Sequence, residues 1–478
     1  MPFVRRVPDL NHARRWREGT QMISPNDPAD DRREIFGWAL YDWANSGFVT
    51  TVSTVLIGPY LTALAQSAVG ENGVIASLGL FGTITAKSFI PQCVSISVFL
   101  QLFFLPVLGE IADTTNLKRR LLGVFCGFGS IATVSLYFVE GERFLIGGLV
   151  YIIANICLGA SVVLYNAFLN EIASPARRDA ASSKGYALGY VGGGILLATN
   201  LALISVAGSI GLSKGEAVRL SLMSAGLWWG GWGLLSLSFL RVRPPSRVPA
   251  PGSNWISIGF SEIAFAVTQL RRLPHTARYL LAYTLYNDGI QTVIGLSSVF
   301  LAQELFSPAQ RAAGDDTSFL TGLILMVQFV AFFGATGFGP LARRIGARDA
   351  ILASRVVWCG IVVYAYSFLT TTTQALGMGA TIAVVLGGSQ ALSRSLFSRL
   401  IPPGQEATYF GVYEISERGT SWIGPQIFAV VVATTGSYRD AILSLMALFV
   451  TGTIVLFLTD IRRAEADVEA LPASMGTG

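Results

Sequence analysis

The sequence predicts an all-α membrane protein, with twelve transmembrane helices arranged as two six-helix pseudo-repeats. Three observations point there. The 478 residues are 52% hydrophobic and only 13% charged, with mean hydropathy +0.55; a soluble domain carries roughly 25% charged residues. The apolar residues gather into runs of about 20, the length that crosses a bilayer as a helix. The 34 Lys and Arg residues, against 29 Asp and Glu, flank these runs instead of clustering on one soluble face. That composition excludes disorder and nucleic-acid binding as primary roles.

Residues 1–35 open with MPFVRRVPDLNHARRWREG, polar and Arg-rich with no apolar core behind it. A cytoplasmic tail without a cleavable signal peptide is expected. The predicted spans lie at 36–65, 92–112, 120–139, 144–167, 185–208, 219–240, 277–303, 318–341, 350–370, 374–397, 408–433 and 438–459. The first six form an N-terminal bundle (36–240) and the last six a C-terminal bundle (277–459), before a cytoplasmic tail at 460–478. Segment 66–91 is apolar but short, and reads as an outer loop dipping toward the interface. Between the bundles, 241–276 begins with the Pro-rich stretch RVRPPSRVPAPGSNW. It continues with Ile256, Phe260, Ile263, Val267 and Leu270 at helical spacing, up to Arg271 and Arg272. That pattern suits an amphipathic helix on the inner leaflet or on the inner surface of the bundle.

Counting Lys and Arg by side puts 26 on the inner face and 6 on the outer (Lys87, Arg143, Lys214, Arg219, Arg311, Arg439). Arg355 and Arg418 fall within spans, where Arg355 is expected to pair or to snorkel. Arg394 and Arg399 close span 10 and count as inner. The bias places both termini in the cytoplasm, with a bacterial inner membrane as the expected location.

Cys93, Cys126, Cys157 and Cys359 sit in apolar stretches without paired spacing, so they read as packing residues. His12 and His275 lie outside the spans, leaving carboxylates to handle protons inside the membrane. There is no Ser-His pair, metal motif or Gly-Lys-Ser/Thr phosphate loop. No enzyme, ATP-driven pump, metal or cofactor is therefore expected. The expected partners are a small-molecule substrate, the lipid bilayer and, if transport is coupled, protons; no nucleic acid is among them, and the chain is expected to act as a monomer.

The halves repeat weakly. Leu40-Tyr41-Asp42 in span 1 corresponds to Leu285-Tyr286-Asn287-Asp288 in span 7. GEIADTTNLKRR after span 2 corresponds to GPLARRIGAR after span 8. IASPARRDAASSKGYALGY between spans 4 and 5 corresponds to LIPPGQEATYFGVYEIS between spans 10 and 11. A parallel repeat of six helices is a two-half transporter plan, with substrate at the midplane between the halves.

An Asp at a helix centre costs about 2.5–3.5 kcal/mol on insertion scales, so intramembrane acids are functional candidates. Asp42 shares a face with Trp38 and Asn45. Asp288 lies deeper, with Asn287 and Gln291 beside it, and the repeat makes Asp42 and Asp288 a pair across the cavity. Either they bind a substrate amine or a proton, or they tie helices together by hydrogen bonds. Tyr165, Asn166, Asn170 and Glu171 close span 4; Asn166 and Asn170, four apart, could face the cavity, whereas Glu171 could pair with Arg177, Arg178 or a neighbouring helix end. Arg394 and Arg399, with Gln390 a turn before Arg394, could hold a substrate carboxylate, since Arg presents a planar fork of donors, or the two arginines could simply anchor the inner face. Glu414 and Arg418 are spaced i, i+4, as an intrahelical ion pair or a gate. At the end of span 2, Gly109 and Asp113 precede Lys118, Arg119 and Arg120. There an acid can face basic residues or the positive N-terminal end of another helix, and so hold an inner gate closed. The glycines of span 5 (Gly185, Gly189, Gly193) read as close helix packing.

Several blocks resemble a known family: FGWALYDWANSGFVTTV (36–52), LYNAFLNEIA (164–173), GYALGYVGGG (185–194), LLAYTLYNDGIQTVI (280–294) and GGSQALSRSLFSRLIPPGQEATYFGVYEI (387–415). The chain resembles a major facilitator superfamily transporter, most specifically the vacuole-effluxer family that includes fungal autophagy-related vacuolar amino-acid exporters. The superfamily loop after helix 2 usually reads Gly-x-x-x-Asp-x-x-Gly-Arg-Arg. This chain keeps Gly109, Asp113 and Lys118–Arg120 without the second glycine, and its second copy keeps Gly339, Gly346 and Arg348 but has Arg343 at the acidic position. The resemblance implies a secondary transporter that works by alternating access and exports small amphipathic solutes, amino acids above all. The alternatives are a lipid or drug exporter of the same fold, or a membrane receptor that does not transport.

Overall fold

The computed structural model describes residues 30–70, 73–77, 83–86, 88–244, 270–307, 309–310, 315–418 and 423–470. The expected N-terminal tail up to 29, the amphipathic segment of the linker (245–269) and the last residues of the C-terminal tail lie outside them.

The chain runs through α1 (Arg32–Val69), β1 (Val74–Ser77), β2 (Thr83–Thr85), α2 (Phe89–Thr114), α3 (Lys118–Phe138), α4 (Phe144–Ile172), α5 (Arg178–Ile210) and α6 (Lys214–Phe239). It continues with α7 (Pro274–Leu305), α8 (Asp315–Ile345), α9 (Ala347–Ser367), α10 (Thr372–Arg399), α11a (Glu406–Arg418), α11b (Ile423–Thr435), α12 (Tyr438–Phe457) and α13 (Ile461–Glu469). Each predicted span falls on one of these helices, with span 11 divided between α11a and α11b. Among the described residues, nine helices are long and apolar enough to cross a membrane. The glycines and tryptophans of α6 and the polar residues of α7 dilute their hydropathy without interrupting either helix.

Segment 66–91 departs from expectation. Its described residues carry regular structure: α1 continues to Val69, β1 and β2 pair antiparallel (Val74 opposite Thr85, Ser77 opposite Thr83), and α2 begins at Phe89. The β-branched residues Val74, Ile75, Thr83, Ile84 and Thr85 favour that pleated pairing. Within α1, Phe48–Leu56 widen into a π-helix.

Helix ends carry their own caps. Asp31 accepts from the Arg33 N–H at the start of α1, and capping boxes start α6 (Ser213, Glu216) and α10 (Thr371, Gln374). Each satisfies backbone donors that the first helical turn leaves open. Gly346, at φ 91°, makes the one-residue link between α8 and α9, a backbone conformation that side chains with a Cβ rarely adopt.

The outer surface is apolar: Phe128, Ile131, Phe333, Val356 and Phe457 are more than 60% exposed. In water such a patchwork would drive association, whereas in lipid it faces its own solvent. Inside, glycine sets the spacing. Gly185, Gly189 and Gly193 of α5 lie against Asp42, Ser46 and Thr50 of α1, and Gly334 and Gly387 bring α8 and α10 together, with no room for a methyl at any of them. Without a hydrophobic drive between helices in lipid, such close backbone approach supplies van der Waals contact. The helices up to α6 also meet those from α7 onward, chiefly α2 on α11a and α5 on α8 and α10.

Candidate functional site

A buried polar knot joins the two groups of helices. The Asp42 Oδ2 atom accepts from the Tyr165 hydroxyl at 2.7 Å and from both terminal nitrogens of Arg394 at 3.0 Å. Arg394 also donates through Nε to the Ser182 hydroxyl (2.9 Å), through Nη2 to the Ser182 carbonyl (3.0 Å) and through Nη1 to Asn166 Oδ1 (3.4 Å). Its guanidinium lies over the rings of Tyr186 at 4.2 Å, Trp38 at 4.8 Å and Tyr165 at 5.4 Å. Trp38 stacks on Tyr165 and donates its indole N–H to the Tyr165 carbonyl. Arg394 is only 2% exposed. A buried ion pair is tolerable only when hydrogen bonds satisfy the remaining donors and lone pairs, and this one meets that condition.

Helical spacing builds the knot. Trp38 and Asp42 are one turn apart on α1. Asp179, Ser182, Tyr186 and Tyr190 form one stripe along α5, facing Gln390, Arg394 and Ser398 on α10. The Tyr190 hydroxyl donates to Gln390 Oε1 at 2.6 Å, and Ser182 donates to the Ala391 carbonyl at 2.7 Å. Asn45, a turn beyond Asp42, is buried. Arg394, counted among the inner-face cations, is therefore an interior residue. Asp42 takes Arg394 as its partner, not Asp288.

Asp288 makes a separate arrangement. Its Oδ2 accepts the Gly424 N–H at 2.9 Å, while Oδ1 is buried and has no hydrogen-bond partner among the described residues. Asn287 donates to the Glu417 carbonyl at 3.3 Å, and Gln291 is half-buried. At 1.5 Å per residue, Asp288 lies about 21 Å from the start of α7, and Arg394 about 8 Å from the end of α10. The acid is thus near the middle of its helix, whereas the knot is close to the basic end.

At that basic end the two groups of helices are fastened repeatedly. The Asp113 carboxylate accepts the Ala407 and Thr408 N–H groups at 2.9 Å each, capping the first turn of α11a, where backbone donors and the helix dipole favour an anion. Gly109 lies so close to the Ala407–Thr408 backbone that a Cβ would come within 2.8 Å of Thr408 Cα. Arg399 pairs with Asp179 at 2.6 Å, and Asn170 and Arg178 both donate to the Ser398 carbonyl. Within the first group, Lys118 pairs with Glu171 at 2.5 Å and lies 3.9 Å from Asp113, and Arg243 grips Glu34 with two bonds of 2.8 Å. Glu171 thus takes Lys118, not Arg177 or Arg178. The Arg33 N–H and the Arg241 guanidinium hold the Asp31 carboxyl below its usual range. Arg119 lines a cleft of about 340 Å³ with Lys118, Arg241 and Arg243, and Arg120 is exposed. Glu414 is buried; the Arg418 side chain, and with it the proposed i, i+4 pair, lies outside the described residues.

This geometry predicts the same effect for two different substitutions. Asp113→Asn weakens the cap on α11a and moves the population toward an open basic end. Gly109→Val prevents that end from closing. Both raise cysteine labelling at Ser398→Cys from the basic side, and unchanged labelling in either variant contradicts the gate assignment.

Ser182, Tyr186 and Asp179 were not singled out from sequence. Their signal was available as a polar stripe at helical spacing on the same helix as the glycine stripe, but nothing local distinguishes a stripe that binds a partner from one that lines water.

The sequence profile of a family described as "Vacuole effluxer Atg22 like" matches residues 30–469. An uncharacterized MFS-type transporter, YxiO of Bacillus subtilis (strain 168), is 29% identical, over 88% of this chain and 93% of that protein. Autophagy-related protein 22-1 of Penicillium rubens is 26% identical over 95% of each. Among solved structures, the human organic anion transporter MFSD10 superposes with TM-score 0.64 at 15% identity, covering 89% of this chain and 99% of that one. The major facilitator transporter FucP in its outward conformation gives TM-score 0.64 at 13% identity, covering 91% and 100%. The fold is that of the major facilitator superfamily, and the chain is an integral membrane transporter.

Proposed function

Because the chain belongs to the Atg22-like vacuole-effluxer family, we propose that it exports amino acids or similar small zwitterionic solutes by alternating access, coupled to protons through Asp288. The observation that carries this reading is the Asp42–Arg394 bridge between the two groups of helices. A zwitterion offers both charges the bridge uses: its carboxylate can take the fork of Arg394, and its amine can take Asp42. Substrate would thus replace a protein–protein ion pair with two protein–substrate pairs, releasing the groups from each other at small electrostatic cost. Trp38, Tyr165 and Tyr186 would keep that exchange dry and hold the guanidinium by its faces.

Fastening at the basic end corresponds to a carrier closed on that side. With the basic end cytoplasmic, as the charge bias indicates, this is the outward-facing state, and Asp113, Gly109 and the Arg399–Asp179 pair form the gate that must part for substrate to enter from inside. The Asp288 Oδ1 atom, buried without a donor, is placed to accept a proton whose arrival neutralises the carboxylate before it crosses the apolar interior. The bacterial relative and the charge bias support a bacterial plasma membrane with both termini inside, and the N- and C-terminal bundles (36–240 and 277–459) as the moving units.

The test is counterflow in proteoliposomes loaded with single unlabelled amino acids, at two pH values across the membrane. Trans-stimulated uptake of a labelled amino acid, faster with an imposed proton gradient, is expected. Absence of trans-stimulation by every amino acid, alongside stimulation by an organic anion or a lysolipid, would replace the proposed substrate.

A further inference from the structure

Behind the Asp42–Arg394 bridge, in the interior of α7, α9, α10 and α12, lies a second buried arginine without an acid. Arg355 of α9 is 0% exposed. Its Nε and Nη2 donate to the Ser354 hydroxyl next to it (3.2 and 3.0 Å), and its guanidinium lies 4.3 Å from the centroid of the Tyr286 ring. Among the described residues the Nη1 atom has no hydrogen-bond partner and no carboxylate is in ion-pair contact with this side chain. Asp288, two residues beyond Tyr286, bonds instead to Gly424 of α11b.

One turn along the same face of α9 is a second orphan donor. Trp358 is also 0% exposed, and its Nε1–H has no acceptor among the described residues. Its ring stacks on Phe449 of α12, which in turn covers Gly289 of α7, while Gly452 of α12 presses on the Tyr286 backbone. Residues three apart on a helix are neighbours, so the two buried donors without partners belong to one face of α9.

Arginine cannot shed its proton, so burial cannot be relieved as it would be for lysine. A full positive charge in a lipid-embedded interior then needs a counter-charge, and the described residues place none in contact with it. We infer that the Arg355 Nη1 and Trp358 Nε1 donors bind a small monovalent anion, a halide such as chloride, between α7, α9 and α12. The close packing of Tyr279, Tyr286, Trp358 and Phe449, all 1% exposed or less, restricts the occupant to an ion little larger than water. Tyr286 shares a hydrogen bond with the Ser393 hydroxyl at 2.9 Å, one residue before Arg394, so the occupied site would fix the face of α10 that presents Arg394 to Asp42. The inference does not depend on the identity of the transported solute.

Thermal unfolding of the detergent-purified protein tests this, comparing sodium chloride or bromide with sodium gluconate at equal ionic strength. Wild-type Tm is expected to rise with halide along a saturable curve. Arg355→Met should unfold at the same temperature in every salt. Trp358→Phe should keep the response with half-saturation at about tenfold higher halide, the loss of one hydrogen bond to a charged partner. Arg355→Lys keeps the charge and should retain a weakened response, which covers the case that the Met variant does not fold. Equal wild-type Tm in chloride and gluconate overturns the proposal, and so does a halide response that survives unchanged in the Met or Phe variant.

Discussion

Arg394→Met should abolish transport and lower stability by about 3–5 kcal/mol, the usual loss when one member of a buried ion pair is removed. The cost is high because Asp42 is left charged, 9% exposed, with only Tyr165 as a donor. Asp42→Asn leaves the guanidinium its bonds to Ser182 and Asn166 and its three aromatic rings, so its stability loss should be smaller while transport is still lost. Removing both charges (Asp42→Asn with Arg394→Met) should recover much of the stability and none of the transport. A double-mutant cycle on Tm, read beside proteoliposome uptake, separates the two effects. If the stability losses simply add, Asp42 and Arg394 are not coupled and the bridge is not the unit described above.

Asp288→Asn should remove proton-driven transport with little loss of expression. An Asn amide oxygen can still accept the Gly424 N–H that Oδ2 accepts, so the contact between α7 and α11b persists. What disappears is the ability to exchange a proton at Oδ1. The variant should therefore still perform counterflow, which needs no net proton movement, while failing to accumulate substrate against a gradient. Undiminished accumulation would sink the assignment of Asp288 as the proton carrier. The two predictions are distinct: the bridge variants lose counterflow as well, and Asp288→Asn does not.

Much of the proposed gate was legible from sequence, because its chemistry is local. Asp113 stands just ahead of a basic cluster at the end of a span, and an acid there has few partners to choose among. Its partner proved to be the first turn of α11a, nearly 300 residues later, with Gly109 providing the clearance. For Glu171 the neighbouring helix end among its expected partners proved to be the one it takes: Lys118 at the start of α3 is nearer in space than Arg177 and Arg178, which are nearer in sequence. The hairpin at 74–85 was missed because its apolar composition says how readily a segment enters lipid, and not whether its backbone pairs with itself first.

The two interior arginines mark the boundary most clearly. From the sequence Arg394 was open to holding a substrate carboxylate or to anchoring the inner face, and Arg355 to pairing or snorkelling. Hydropathy and the charge bias are sums over neighbouring residues, so lipid embedding, helix positions and orientation follow from composition and spacing alone. Which buried charge meets which acid depends on contacts between residues 352 positions apart, and no local sum contains them. Only the packing of α1, α5 and α10 gave Arg394 a carboxylate, and only the packing of α7, α9 and α12 left Arg355 without one.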